Sequence, residues 1–166
     1  PHEFEGTYPL PESQLDRFML RIDMPYPPRE TEAAVLRRYG ASMGGDVAAL
    51  AELQPLPAGL LTAARAAAEQ LHVSDALYDY VLDIAAATRR HAGIALGLST
   101  RGSLALLRAA RIAAGLRSAD YVNADDVKQV AAGIIAHRLA LRAETQLDGR
   151  TDVDLVAQVL GEVAVP

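Results

Sequence analysis

The sequence predicts a mainly α fold in which a series of helices follows one short strand. The chain has 166 residues, about half of them hydrophobic, and its 32 alanines are typical of helices that pack closely together. Apolar side chains recur at helical spacing in most segments after residue 29. Strand-like alternation is confined to residues 18–24, where Arg21 and Asp23 alternate with apolar side chains. A chain of this length can bury one substantial core.

The segment that leads into the strand is GTYPLPESQLDRF, residues 6–18. It combines a proline-broken turn, one turn of possible helix and the adjacent pair Asp16 and Arg17. A single strand does not form a stable sheet by itself. We therefore expect the partners of this strand to lie in a preceding part of a larger protein, of which the chain would be the C-terminal part.

Six helices are predicted after the strand from apolar periodicity, capping residues and helix breakers. Ser74, Ser99 and Asn123 are the predicted N-caps of three of them, because their side chains can accept hydrogen bonds from the first free amides. The predicted helical ranges are 29–40, 58–70, 75–91, 100–116, one that begins after Asn123, and 152–163.

The remaining segments are predicted as loops. Residues 41–57 are rich in glycine and proline and are expected to hold at most a short helix near 47–53. Residues 91–99 are predicted as a second loop. In the first long helix, the 3.6-residue period places Val35, Leu36 and Tyr39 on the inward face.

The sequence lacks the features of several classes of protein, which argues against those functions. The net charge is −5 and the arginines are scattered, so no nucleic-acid partner is expected. There is no cysteine, no GxxxxGK[ST] phosphate-binding loop and no GxSxG nucleophile motif, and the four histidines are far apart, so no metal site is predicted. No apolar run is long enough to span a bilayer, which favours a cytoplasmic protein without a membrane partner. The chain is not expected to catalyse a reaction alone.

Two arginines stand out as candidate anion-binding residues. Arg101 lies in the first turn of the helix that Ser99 is predicted to cap, where free amides and a guanidinium together can bind an anion. Residue spacing alone favours the ordinary alternative, that Arg101 is solvated or paired with an acid. Arg17 follows Asp16, and a local salt bridge is the favoured interpretation there too. Arg108 and Arg111 are interpreted as a solvated stripe.

Two segments of the sequence resemble a known family. EGTYPLPESQLDRFMLRIDMPYP, residues 5–27, closely resembles the MoxR family of AAA+ ATPases. GLSTRGSLALLRAARIAAGLRSADYVNADDVKQVAAGIIAHRL, residues 97–139, is similar to the sensor-2 region of that family. The predicted helices between the two segments fit the family's lid domain. The family usually has proline before the sensor-2 arginine, whereas this chain has Thr100.

The resemblance implies roles for both arginines. Arg17 would be the arginine finger, which reaches the nucleotide of the neighbouring subunit in a ring. Arg101 would be sensor 2, which contacts the nucleotide phosphates and couples them to lid movement; whether it acts on its own or the neighbour's nucleotide is left open. A guanidinium stabilises the charge that develops on a transferring γ-phosphoryl group, and removing an arginine finger typically costs about 10³–10⁵ in rate.

The resemblance also implies cofactors, partners and domains. The cofactors would be ATP and Mg²⁺, with the Mg²⁺ ligands outside this sequence. The whole protein would form a ring, expected to be a hexamer, and would act as a chaperone-like ATPase, with a von Willebrand A-domain protein as the candidate partner. Residues 1–28 would be the end of the α/β ATPase core, comprising a short helix and its last strand, and residues 29–166 an all-α lid domain.

Two alternative functions remain at this stage. The chain could be a non-enzymatic helical module that binds a partner protein, in which case Arg101 would be dispensable. It could also be the lid of a magnesium-chelatase-type motor subunit, although GTYPLPESQLDRF favours the MoxR family.

Overall fold

Helices make up most of the chain in the computed structural model, which describes residues 10–40 and 53–166. The described residues form two compact units, one comprising residues 10–21 and 64–166 and the other residues 22–40 and 53–63. Within the described part of the chain, no helix combines the length and the apolar character needed to cross a membrane.

The described elements occur in the following order along the chain. The helices are α1 Glu12–Leu15, α2 Arg29–Tyr39, α3 Leu60–Glu69, α4 Asp75–Arg90, α5 Thr100–Leu116, α6 Ala124–Ile135, α7 Ala143–Leu147 and α8 Asp152–Glu162. A 3₁₀ turn, Ala136–Arg138, continues from α6. The strands are β1 Ile94–Leu96 and β2 Ala140–Leu141, which pair antiparallel with an irregular register.

The core of the larger unit is formed by α4, α5, α6 and α8. Each of these helices contributes side chains that are fully or almost fully buried, because apolar residues recur along one face of the helix. Central members of the core are Leu77, Val81, Ile84, Leu106, Val127, Ile134, Leu155 and Val159. The mainly α fold predicted from the sequence is confirmed, as are the helices that begin near residues 29, 60, 75, 100, 124 and 152.

The predicted N-caps are confirmed by their hydrogen bonds. The Ser74 side chain accepts a hydrogen bond from the Leu77 amide at 3.3 Å, and the Ser99 side chain accepts one from the Gly102 amide at 3.0 Å. Asn123 forms a full capping box with Asp126. These caps fix where α4, α5 and α6 begin, since each satisfies amides that have no partner inside the helix.

The strand predicted over residues 18–24 is not a strand in the structure. Its alternating pattern is real, but a strand needs a hydrogen-bonded neighbour, and this segment has no strand beside it among the described residues. The Arg21 amide instead donates to the carbonyl of Gly133 in α6, at 2.9 Å. The two strands that do form, β1 and β2, were missed because runs of three and two residues are too short to show alternation.

Two further expectations need correction or lie outside the described residues. Val35 and Leu36 of α2 are 48% and 71% exposed and Tyr39 is half-buried, so the predicted inward face of that helix is not fully buried. The second predicted loop contains β1. The short helix expected near residues 47–53 lies almost entirely outside the described residues, as does the start of the GTYPLPESQLDRF segment.

Candidate functional site

The two arginines predicted as functional residues line the same cavity. This cavity has a volume of about 460 Å³ and lies between the segment that follows α1 and the first two turns of α5. Its lining residues are Asp16, Arg17, Met19, Arg101, Leu104, Ala105, Arg108 and Arg138. Arg17 and Arg101 are 84 positions apart in the sequence, and the fold alone brings them together. We call this cavity the arginine cavity.

Three of its arginines have guanidinium groups without a partner in the part of the chain that the structure describes. Arg17, Arg101 and Arg108 are exposed, and within residues 10–40 and 53–166 none of their side chains forms an ion pair or a hydrogen bond. The local Asp16–Arg17 salt bridge favoured by the bare sequence is therefore not formed. Three cations without partners around one cavity repel one another and leave their donors unused, an arrangement that suits a polyvalent anion such as a polyphosphate.

The start of α5 adds to the attraction for an anion. Thr100 is the first helical residue and Arg101 the second. Arg101 therefore lies in the first turn of α5, although Thr100 stands where the MoxR-type sequence usually has proline. Free amides at a helix N-terminus carry the positive end of the helix dipole. The Arg101 guanidinium and the α5 N-terminus therefore both favour negative charge at this end of the cavity.

The backbone at this point is closely packed against its neighbours. Gly102 has no room for a side chain, because an added Cβ would lie 2.3 Å from Leu98 Cδ1 and 3.0 Å from Arg138 Cδ. Leu98 is fully buried. The residue that follows Arg101 is thus fixed between the core and Arg138, and this packing holds the first turn of α5 in place.

Asp16 and Arg138 form an ion pair on one side of the cavity. Arg138 Nε lies 3.3 Å from Asp16 Oδ1, and the arginine side chain is only 2% exposed. Burial lowers the pKa of the Arg138 guanidinium, and the Asp16 carboxylate opposes that shift. Burial also lowers the pKa of the neighbouring His137 imidazole, so His137 adds no second positive charge there at neutral pH.

The sequence did not reveal the roles of Arg108 and Arg138. Arg108 was grouped with Arg111 as a solvated stripe, but it lines the cavity, whereas Arg111 donates to the carbonyls of Glu69 and Leu71 at 2.8 and 3.0 Å. Arg108 lies seven residues after Arg101, which places both on one helix face and is a usable signal. Nothing in the sequence signals that Arg138 pairs with a residue 122 positions earlier.

The cavity suits phosphate groups better than a metal ion. Asp16, the only carboxylate among its described lining residues, already accepts hydrogen bonds from Ser99 and pairs with Arg138. Among the described residues, no group of three or more histidine, aspartate or glutamate side chains is arranged to hold a metal ion.

Comparison with known proteins places the chain in a family. Residues 86–159 match the AAA lid domain family. The chain is 35% identical to the Bacillus subtilis protein YeaC over 167 residues, and 35% identical to the chaperone MoxR1 of Mycobacterium tuberculosis over 175 residues; each alignment covers the whole of this chain. The chain belongs to the MoxR family of AAA+ ATPases. The protein MoxR of Paracoccus denitrificans is 33% identical over 161 residues, which is 84% of this chain.

A solved structure agrees with the MoxR assignment. A candidate ATPase from Cytophaga hutchinsonii superposes on the whole chain with a TM-score of 0.79 and 29% sequence identity. The chain spans about half the length of the relatives that it matches: 51% of YeaC, 45% of MoxR1 and 45% of the Paracoccus protein, and 52% of the Cytophaga chain. The AAA lid match covers α5, α6 and the first two turns of α8, the elements that form one wall of the arginine cavity and its supporting core.

Proposed function

We propose that this chain supplies Arg17 as the arginine finger and Arg101 as the sensor-2 residue of a MoxR-type AAA+ ATPase. The observation that carries the proposal is that both exposed guanidinium groups line one cavity and that neither has an acidic partner within residues 10–40 and 53–166. In phosphoryl transfer, charge develops on the oxygens of the γ-phosphoryl group, and catalysis depends largely on cations placed to stabilise it. Arg108 is the third cation of the cavity and would bind the same phosphate chain.

The shared cavity also supports a proposal for which nucleotide Arg101 contacts. A cavity of about 460 Å³ is large enough for the phosphates of one nucleotide, and Arg17 and Arg101 both reach it from the same chain. If Arg17 acts on the nucleotide bound by the neighbouring subunit, Arg101 then acts on that nucleotide too. Each subunit would contribute both arginines to its neighbour and neither to itself.

The properties of the whole protein follow from membership in the MoxR family. We infer that it binds ATP and Mg²⁺ through residues outside this chain and assembles into a ring, which we expect to be a hexamer in the cytoplasm. Hydrolysis would drive a chaperone-like change in a partner protein, for which a von Willebrand A-domain protein is our candidate. We also retain the proposed division into a core segment, residues 1–28, and a lid domain, residues 29–166.

Replacing either arginine by alanine in the whole protein tests this function. We expect Arg17→Ala to lower kcat for ATP hydrolysis by about 10³–10⁵, the range seen when an arginine finger is removed. Arg101→Ala should also lower turnover. Arg142→Ala is the matched control, because Arg142 is exposed and does not line the cavity. Normal turnover in both Arg17→Ala and Arg101→Ala would overturn the proposal and favour a non-enzymatic interaction module.

Mixed rings test whether both arginines act on one nucleotide. The first mixed ring combines Arg17→Ala subunits with subunits whose phosphate-binding loop is inactivated. This ring should regain activity, because the second kind of subunit still offers an intact Arg17 to the intact nucleotide site of the first kind. A ring of Arg17→Ala and Arg101→Ala subunits should stay inactive, because every subunit then offers its neighbour one defective arginine. Recovery of activity in this second mixture would mean that Arg101 acts on the nucleotide of its own subunit.

A further inference from the structure

Arg138 holds the backbone on both sides of Arg17. Its guanidinium donates hydrogen bonds to the carbonyls of Phe18, of Met19 at 3.3 Å, and of Asp16 at 3.4 Å. Asp16 and Phe18 are the two neighbours of Arg17 in the chain. Because a buried guanidinium is costly unless its donors are satisfied, Arg138 strongly favours the one backbone arrangement that brings these carbonyls together.

The Asp16 carboxylate connects this backbone to the start of α5. Its two oxygens accept hydrogen bonds from the Ser99 hydroxyl at 2.9 and 3.0 Å. The Ser99 hydroxyl oxygen in turn accepts from the Gly102 amide at 3.0 Å, as the N-cap of α5. Asp16 immediately precedes Arg17, and Ser99 lies two residues before Arg101. One short chain of hydrogen bonds therefore spans the two segments that present the arginines.

The segment has a second attachment, a few residues further along. The Arg21 amide donates to the Gly133 carbonyl at 2.9 Å, and the Arg21 guanidinium pairs with Asp152 of α8 at 2.5 Å. Leu20 packs so closely on Gly133 that an added Cβ there would lie 2.5 Å from Leu20 Cδ1. The segment 16–21 is thus held against the helical core by side chains and backbone well separated in sequence.

We propose that Asp16, Ser99 and Arg138 form a positioning cluster that fixes the Arg17 guanidinium relative to the Arg101 guanidinium. Within the cluster, Arg138 is buried, both of its terminal nitrogens donate to backbone carbonyls and its Nε lies 3.3 Å from Asp16 Oδ1, so it holds the finger segment, and Arg17 and Arg101 remain the exposed arginines. This inference rests on the proposed function, because it assigns the cluster to the arrangement of the two arginines that act on one nucleotide.

Two replacements of Ser99 in the whole protein separate positioning from helix capping. Asparagine and aspartate are both good N-caps, so Ser99→Asn and Ser99→Asp should both keep α5 folded. The amide of Ser99→Asn can still donate to Asp16, whereas Ser99→Asp places a second carboxylate against it. We expect Ser99→Asp to lower kcat by up to about 100-fold, the scale expected for displacement of a reacting group by about 1 Å. Ser99→Asn should retain most of kcat, and the KM for ATP should change little in either variant. Equal kcat values in the two variants would overturn the proposal.

The Asp16→Asn replacement supplies an independent readout. If Asp16 acts through Arg17, then Asp16→Asn should lower kcat in the native background but cause no further loss in the Arg17→Ala background. Asp126→Asn is the matched control, since it weakens another buried carboxylate–arginine pair, Arg117 with Asp126, away from the cavity. It should reduce stability and leave kcat unchanged. A full additional loss from Asp16→Asn in the Arg17→Ala background would contradict the positioning role.

The outcomes distinguish this inference from the proposed function. Loss of turnover in Arg17→Ala together with full activity in Ser99→Asp and Asp16→Asn would overturn the cluster alone. Full turnover in Arg17→Ala and Arg101→Ala would overturn the proposed function, irrespective of how the Ser99 and Asp16 variants behave.

Discussion

At the residue scale, the decisive feature is which arginines have partners. Arg111, Arg117 and Arg138 donate to carbonyls or carboxylates of the fold, so they stabilise structure. Arg17, Arg101 and Arg108, by contrast, have no side-chain partner in the described part of the chain, and all three line the arginine cavity. A guanidinium normally finds a carboxylate where the fold offers one, and here the nearby Asp16 is committed to Arg138 and Ser99.

Arg108 provides the prediction at this scale. Arg108→Ala in the whole protein should weaken nucleotide binding about 10- to 100-fold, since a hydrogen bond to a charged group contributes about 1.5–3 kcal/mol. A fluorescent ATP analogue titrated into the protein measures the change in Kd. Arg111→Ala is the comparison, because its guanidinium binds the end of α3; it should lower stability and leave the Kd unchanged. An unaltered Kd in Arg108→Ala would contradict a role in nucleotide binding and favour the earlier interpretation of Arg108 as a solvated surface residue.

At the element scale, the junction between α5 and α6 depends on one buried carboxylate. Arg117 at the end of α5 donates to Asp126 of α6 through Nε at 2.7 Å and Nη2 at 2.9 Å. The same carboxylate accepts from the Asn123 amide at 2.8 Å, which completes the capping box. The Asp126 side chain is 2% exposed. The hydrogen bonds from Arg117, and next the one from Asn123, lower the pKa of Asp126, and burial only partly opposes them.

The lowered pKa predicts a loss of stability in acid. A carboxyl whose pKa is depressed in the folded state stabilises the fold above its unfolded pKa of about 3.9. This contribution is lost as the pH falls through the lower, folded pKa. We expect Asp126→Asn to cost about 1–3 kcal/mol of unfolding free energy at pH 7, from the lost charged hydrogen bonds. The difference from the native protein should shrink below about pH 4. Urea unfolding at pH 7, 4 and 2.5 measures it, and a constant difference across that range would refute the assignment.

At the scale of the whole molecule, we expect the chain to fold by itself but not to hydrolyse ATP by itself. The four helices α4, α5, α6 and α8 share one buried core, so the larger unit should unfold cooperatively, and the chain should give a helical circular dichroism spectrum. Its sequence has no GxxxxGK[ST] motif, so we expect no ATP turnover by this chain alone. A spectrum dominated by β-structure would contradict the fold. Steady hydrolysis by the pure chain would contradict the view that Arg17 and Arg101 serve a nucleotide bound elsewhere.

The sequence by itself determined the six longer helices and where they begin, whereas the five-residue helix α7 was not predicted. Apolar periodicity and caps such as Ser74, Ser99 and Asn123 act over three or four residues, so the local sequence contains the whole signal. The same local logic failed for residues 18–24, because alternation indicates a strand only if a partner strand is present. Only the tertiary structure brought Arg17, Arg101 and Arg108 to one cavity and paired Asp16 with Arg138. These contacts join residues that are distant in sequence. They depend on how the helices pack, and a local sequence pattern contains no information about that packing.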